Sequence, residues 1–128
     1  MTVQRSHDLP TFVMGALSDH LTPWKGTYRT TQLLSGESRF VLSNAGHIAS
    51  LVNPPGNPKA SYFTGSLDRN ESPDEWRARA DQHTGSWWQE WAEWVLERTG
   101  DEVAASQVVP REELHLSRAP GTYVFERA

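Results

Sequence analysis

Cysteine is absent from all 128 residues. Disulfides and thiolate metal sites are thereby excluded, along with the commonest sign of an oxidising, secreted setting, so the expected location is cytoplasmic. A cysteine nucleophile within this chain is excluded too, and no Gly-x-Ser-x-Gly elbow takes its place. Long hydrophobic runs are also missing. Nothing approaches the roughly 20 apolar residues of a membrane span, and no charged-then-apolar leader opens the chain. Positive charge is scarce as well: 12 Lys and Arg stand against 16 Asp and Glu, for a formal net charge of −4. Without a basic field to attract phosphate backbones, nucleic acid is not an expected partner. Neither internal repeats nor low-complexity segments occur. Aromatic residues, by contrast, are plentiful, with six Trp in a short chain.

The apolar run from Thr11 to Leu17 follows a proline and ends at Ser18-Asp19-His20, as expected of a strand buried in a parallel sheet. Thr22 reads as a helix N-cap with Pro23 at N1. Trp24, Tyr28, Thr31 and Leu34 then fall near one helical face before Gly36. Arg39 to Ser43 reads as a second strand, and strand, helix, strand over about 33 residues is a βαβ unit. A short helix is expected over 48–52, halted before Pro54-Pro55. Ser72-Pro73-Asp74-Glu75 has the form of a capping box opening a helix to about Ala80. A Trp-rich helix should cover 86–98, stopped by Gly100. The segment 119–124 reads as a terminal strand or extended arm. The chain is thus expected to be α/β, one partial domain in which 10–60 form the βαβ unit and 61–128 a helical part and tail.

In open parallel sheets, chemistry sits beyond the carboxyl ends of the strands. Asp19 and His47 each lie just past such an end, in the order acid then histidine that follows the nucleophile in α/β-hydrolase-type triads. Spacing alone leaves the alternatives open. Asp19 serves equally well as a cap or turn residue, and Gly46-His47 as a structural loop. His7, Asp8, Asp19, His20 and His47 show no recognised ligand spacing, so no metal is expected.

Several stretches are distinctive together: Asp19-His20-Leu21-Thr22-Pro23-Trp24, Arg39-Phe40-Val41-Leu42-Ser43, Gly46-His47-Ile48, Val52-Asn53-Pro54-Pro55, Gly85-Ser86-Trp87-Trp88 with Trp91, and Ala119-Pro120-Gly121-Thr122-Tyr123-Val124. In these the chain resembles the C-terminal part of polyhydroxyalkanoate synthases, which polymerise 3-hydroxyacyl-CoA into polyester. The resemblance implies the C-terminal portion of an α/β-hydrolase fold and a Cys-Asp-His triad, with Asp19 as its acid, either orienting the imidazole or helping to deprotonate the 3-hydroxyl of the incoming monomer, His47 as its general base and His20 at most in support. It implies no cofactor; 3-hydroxyacyl-CoA is the substrate and CoA is released. It further implies that the chain works with a nucleophile-bearing upstream half or a full-length synthase, at the growing polyester or its granule. The alternative is a non-catalytic remnant, or a module that binds a synthase or granule through exposed apolar surface. The seven apolar residues Trp87, Trp88, Trp91, Ala92, Trp94, Val95 and Leu96 share one broad helical arc, and such an arc is expected to be core. Taken alone, the chain is expected to expose strand edges and to associate readily.

Overall fold

The computed structural model describes residues 9–108 and 119–126. The chain divides into two compact units, Met1–Arg98 and Thr99–Ala128. The first contains β1 (Thr11–Ala16), α1 (Trp24–Leu33), β2 (Ser38–Ser43), α2 (His47–Leu51), β3 (Ser61–Thr64), α3 (Pro73–Arg79), β4 (Asp81–Thr84) and α4 (Trp88–Leu96). In the second, the described elements are the short helix α5 (Ala105–Val108) and a 3-10 turn at Tyr123–Phe125. The terminal strand or arm expected at 119–124 is therefore replaced by turns. Positions 109–118 of the expected tail lie outside the described residues, as do His7 and Asp8.

The sheet order is β1-β2-β3-β4. β1 and β2 are parallel, as the βαβ reading requires, whereas β2–β3 and β3–β4 are antiparallel. Mixed α/β architecture is thus correct, but the reading of everything after position 60 as helix and tail is not. β3 and β4 form there, with α3 carried in their connection. β4 is short, largely exposed and polar (Asp-Gln-His-Thr), so it has no apolar alternation to announce it. It is held by its ladder to β3 and by the His83 ring stacked on Tyr62, centroids 5.0 Å apart.

Alternation along the strands assigns the faces. Phe40, Leu42 and Phe63 point to one side and meet Trp24 and Tyr28 of α1 and Trp76 of α3 in the main core. Phe40 is wedged edge-on between Tyr28 (5.3 Å) and Trp76 (4.9 Å). Gly15 is required here by close approach. A Cβ at this position would lie 3.1 Å from Phe40 Cζ and 3.3 Å from Trp24 Cβ, so its absence lets α1 settle onto the end of β1. The expected capping box of α3 is present, Ser72 accepting from the Glu75 N–H while Glu75 accepts from the Ser72 N–H.

α4 lies against the other face. Phe12 contacts Trp87 and Trp94, and Glu90 pairs with Arg39 and accepts from the Tyr62 hydroxyl. The arc expected to be core is split: α4 has no fully buried residue, and Trp88 and Trp91 remain 36% and 47% exposed. Polar strand neighbours explain this, because Arg39 and Tyr62 claim Glu90 and draw that edge of the helix, rather than all four indoles, onto the sheet.

Candidate active site

Residues 28 positions apart meet because of strand register. Each β2 partner lies 27 positions after its β1 mate, from Thr11 with Ser38 to Ala16 with Ser43. The two chains stay paired past the strand ends, the Leu17 N–H donating to Ser43 O and the Ser18 N–H to Ala45 O. Asp19 and His47 therefore emerge side by side at the carboxyl end of the parallel pair. His47 is the first residue of α2, with Gly46 at the N-cap.

The Asp19 carboxylate is fully engaged. Oδ1 accepts from the backbone N–H groups of Leu21 (2.8 Å) and Thr22 (3.0 Å); Oδ2 accepts from the Thr22 hydroxyl (2.5 Å) and is 2.7 Å from His47 Nδ1. The Thr22 hydroxyl is the largest influence in holding this carboxyl far below the ordinary carboxylate range. The Thr22 N–H, His47 and the Leu21 N–H add to it, and together they overcome the opposing effect of burial. An ionised carboxylate only accepts, so His47 Nδ1 is the donor in this pair and Nε2 is the ring nitrogen turned away from the acid. The Asp19 side chain is 5% exposed and that of His47 38%. The acid is shielded while the imidazole faces outward.

Thr22 is thus not the helix N-cap expected from its position before Pro23. Pro23 occupies that place, with no side-chain cap, and the Thr22 hydroxyl serves the acid instead. The spacing Asp-x-x-Thr, an aspartate ahead of a hydroxyl three residues on, was the available signal for such a local loop. His20 is exposed, and the acid's hydrogen bonds go to Leu21, Thr22 and His47. Among the described residues no three His, Asp or Glu side chains gather as metal ligands.

A recess of about 140 Å³ opens at the pair, floored by Gly15 and Ala16 at the end of β1 and flanked by Thr27 and Leu51. Ligand sites usually span about 300–1,000 Å³, so this recess has the size of part of a site. Chemically, the arrangement is an imidazole held by a carboxylate, with the Thr22 hydroxyl committed to that carboxylate and Thr27 also lining the recess.

No family model matches the chain. It is 44% identical over 117 residues to poly(3-hydroxyalkanoate) polymerase 1 of Ectopseudomonas oleovorans, which covers 91% of this chain and 21% of that protein. It is 44% identical over 126 residues to polymerase 2 of the same organism, covering 94% of the chain and 21% of the relative. With the poly(3-hydroxyalkanoate) polymerase subunit of Cupriavidus necator it shares 40% over 124 residues, covering 96% of the chain and 21% of the relative. The resemblance read from the motifs, to the C-terminal part of a polyhydroxyalkanoate synthase, is thus shown along nearly the whole chain, which spans about a fifth of the length of the curated relatives it matches.

Proposed function

We propose that Asp19 and His47 are the acid and base of a Cys-Asp-His triad in the C-terminal portion of an α/β-hydrolase fold, acting in a polyhydroxyalkanoate synthase that polymerises 3-hydroxyacyl-CoA with release of CoA. The cysteine comes from polypeptide outside these 128 residues. The observation that carries the reading is the 2.7 Å contact between Asp19 Oδ2 and His47 Nδ1 at the carboxyl ends of two parallel strands. The sheet can also be extended: among the described residues β1 has a strand neighbour on one edge only.

In this mechanism Nε2 of His47 takes the proton of the incoming thiol, and the thiolate attacks the thioester carbonyl. CoA leaves as thiolate and recovers the proton from the imidazolium. The 3-hydroxyl of the next acyl group then attacks the acyl-cysteine carbonyl, an ester forms as the cysteine thiolate leaves, and the hydroxyl proton needs a base. Asp19 is poorly suited to that second role. Its carboxylate already accepts four hydrogen bonds, is shielded, and is held far below neutral pH. Orienting the ring and fixing its tautomer is the role the geometry supports, with His47 serving both proton transfers.

The test is a graft. With this segment in place of the matching end of an active polymerase, CoA release should fall by about 10²-fold or more for His47→Ala and for Asp19→Asn, and far less for His20→Ala. Equal, mild losses for all three would show that Asp19 and His47 are turn residues.

A further inference from the structure

One turn of α2 beyond His47 stands Leu51, on the same helical face by its i+4 spacing. Leu51 flanks the recess at the acid-base pair, and it also forms one wall of a second concavity, about 310 Å³, closed by Trp87, Trp88 and Trp91. The second hollow is strongly apolar in its lining, and it is large enough to fall in the range of small-ligand sites. It is also built rather than incidental. Gly85, at φ +109°, turns the chain from β4 into α4. Ser86 is buried and donates to Asn53 O. Trp87 Nε1 donates to Ser50 O at 2.7 Å, which pins that indole against α2. Two of the indoles stay exposed at 36% and 47%, although the residues beneath them are tied down.

We infer that this hollow is the subsite for the aliphatic tail of the acyl substrate, the tail running past Leu51 from a carbonyl held beside His47. The inference rests on the reading of His47 as the base. Continuity decides the occupant. The apolar hollow and the acid-base recess are both lined by Leu51, which is half exposed, so a ligand with a reacting head beside His47 and an alkyl tail laid over Leu51 reaches both. Tails longer than a methyl group are selected, since each buried methylene is worth about fourfold in affinity.

The binding test uses the purified chain with indole nitrogens labelled, titrated with the N-acetylcysteamine thioesters of decanoic and butanoic acid. The decanoyl compound should bind at least tenfold more tightly, shifting the indole resonances of Trp88 and Trp91 and leaving that of buried Trp76 in place. Trp91→Ala and Leu51→Gln, both at exposed positions, should each weaken decanoyl binding tenfold or more. Equal affinity for the two tails, or decanoyl binding that survives both substitutions, overturns the subsite. So does a concentration-dependent dimer abolished by Trp91→Ala, which would give this surface to a second copy. In the grafted polymerase, Trp91→Ala should raise KM for 3-hydroxydecanoyl-CoA with kcat kept, and leave 3-hydroxybutyryl-CoA unaffected. Turnover that needs His47 but ignores Trp91 with both substrates overturns the subsite alone. Tail binding with turnover indifferent to His47 overturns the catalytic reading and keeps the hollow as an alkyl site.

Discussion

Adding one methyl group at each of two glycines should change stability in opposite directions. At Gly15 the new Cβ would meet Phe40 Cζ at 3.1 Å and Trp24 Cβ at 3.3 Å. Neither neighbour can yield easily: Phe40 is 1% exposed and wedged between Tyr28 and Trp76, and Trp24 Cβ is fixed to the backbone of α1. Overpacking of this kind costs about 1–3 kcal/mol, partly offset by the roughly 0.4–1 kcal/mol that Gly→Ala gains by restricting the unfolded chain. Gly15→Ala should therefore destabilise by about 1–2 kcal/mol. Gly26 lies exposed within α1, and a Cβ there meets nothing within 4 Å, so Gly26→Ala should stabilise by about 0.5–1 kcal/mol. Urea denaturation followed by Trp fluorescence separates the two. With m of roughly 1–3 kcal/mol/M, the Gly15 midpoint should drop by about 0.3 M or more and the Gly26 midpoint should rise. A neutral or stabilising Gly15→Ala would mean that α1 is not seated on β1, and that the loop carrying Asp19 and Thr22 is placed by something else.

Tyr28 is buried near Glu71, and burial first, then that carboxylate, pushes its phenol up to about 12. A folded-state value above the unfolded one favours the neutral form, so this contribution is complete below pH 10 and is lost as pH rises toward 12; Tyr28→Phe should flatten the decline measured by urea midpoints across that window. Asp19 has the opposite sign. Its stabilisation is present above its unfolded value of 3.8 and fades as pH falls below it, and Thr22→Val, by removing the strongest influence on that carboxyl, should move the acid-side loss to higher pH. Unchanged acid midpoints in Thr22→Val would deny the hydroxyl this role. The purified chain alone should release no CoA from 3-hydroxybutyryl-CoA or 3-hydroxydecanoyl-CoA, and thiol release above the blank that disappears in His47→Ala would refute the need for an external nucleophile.

Elements that bury a periodic apolar face, or that carry their own punctuation, were legible in the sequence. The runs at β1 and β2, the alternating contacts of α1 and the capping box of α3 all appear where their residues put them. β3 and β4 were not, since four-residue strands with a polar outer member are specified by a partner strand rather than by their own pattern. At the site, the pairing of Asp19 with His47 follows from chain order, which was readable in advance, and from the register of β1 with β2, which only the structure supplies. The attachment of Thr22 to the acid was not, because a hydroxyl ahead of a helix can satisfy either the helix N-terminus or a neighbouring carboxylate, and only the turn at 19–22 decides. Exposure of Trp88 and Trp91 was equally hidden, because periodicity shows which residues share a face and not which part of that face the sheet covers.

The central claim is that His47, oriented by Asp19, removes the proton from a cysteine held outside this segment. Its most direct measurement is the rate at which iodoacetamide alkylates the nucleophilic cysteine of a polymerase bearing this segment, followed from pH 5 to pH 9. A thiolate should be present well below the usual thiol range of about 8.5, with the low-pH reactivity lost in His47→Ala and diminished in Asp19→Asn. A cysteine whose alkylation profile is the same with and without His47 would contradict it.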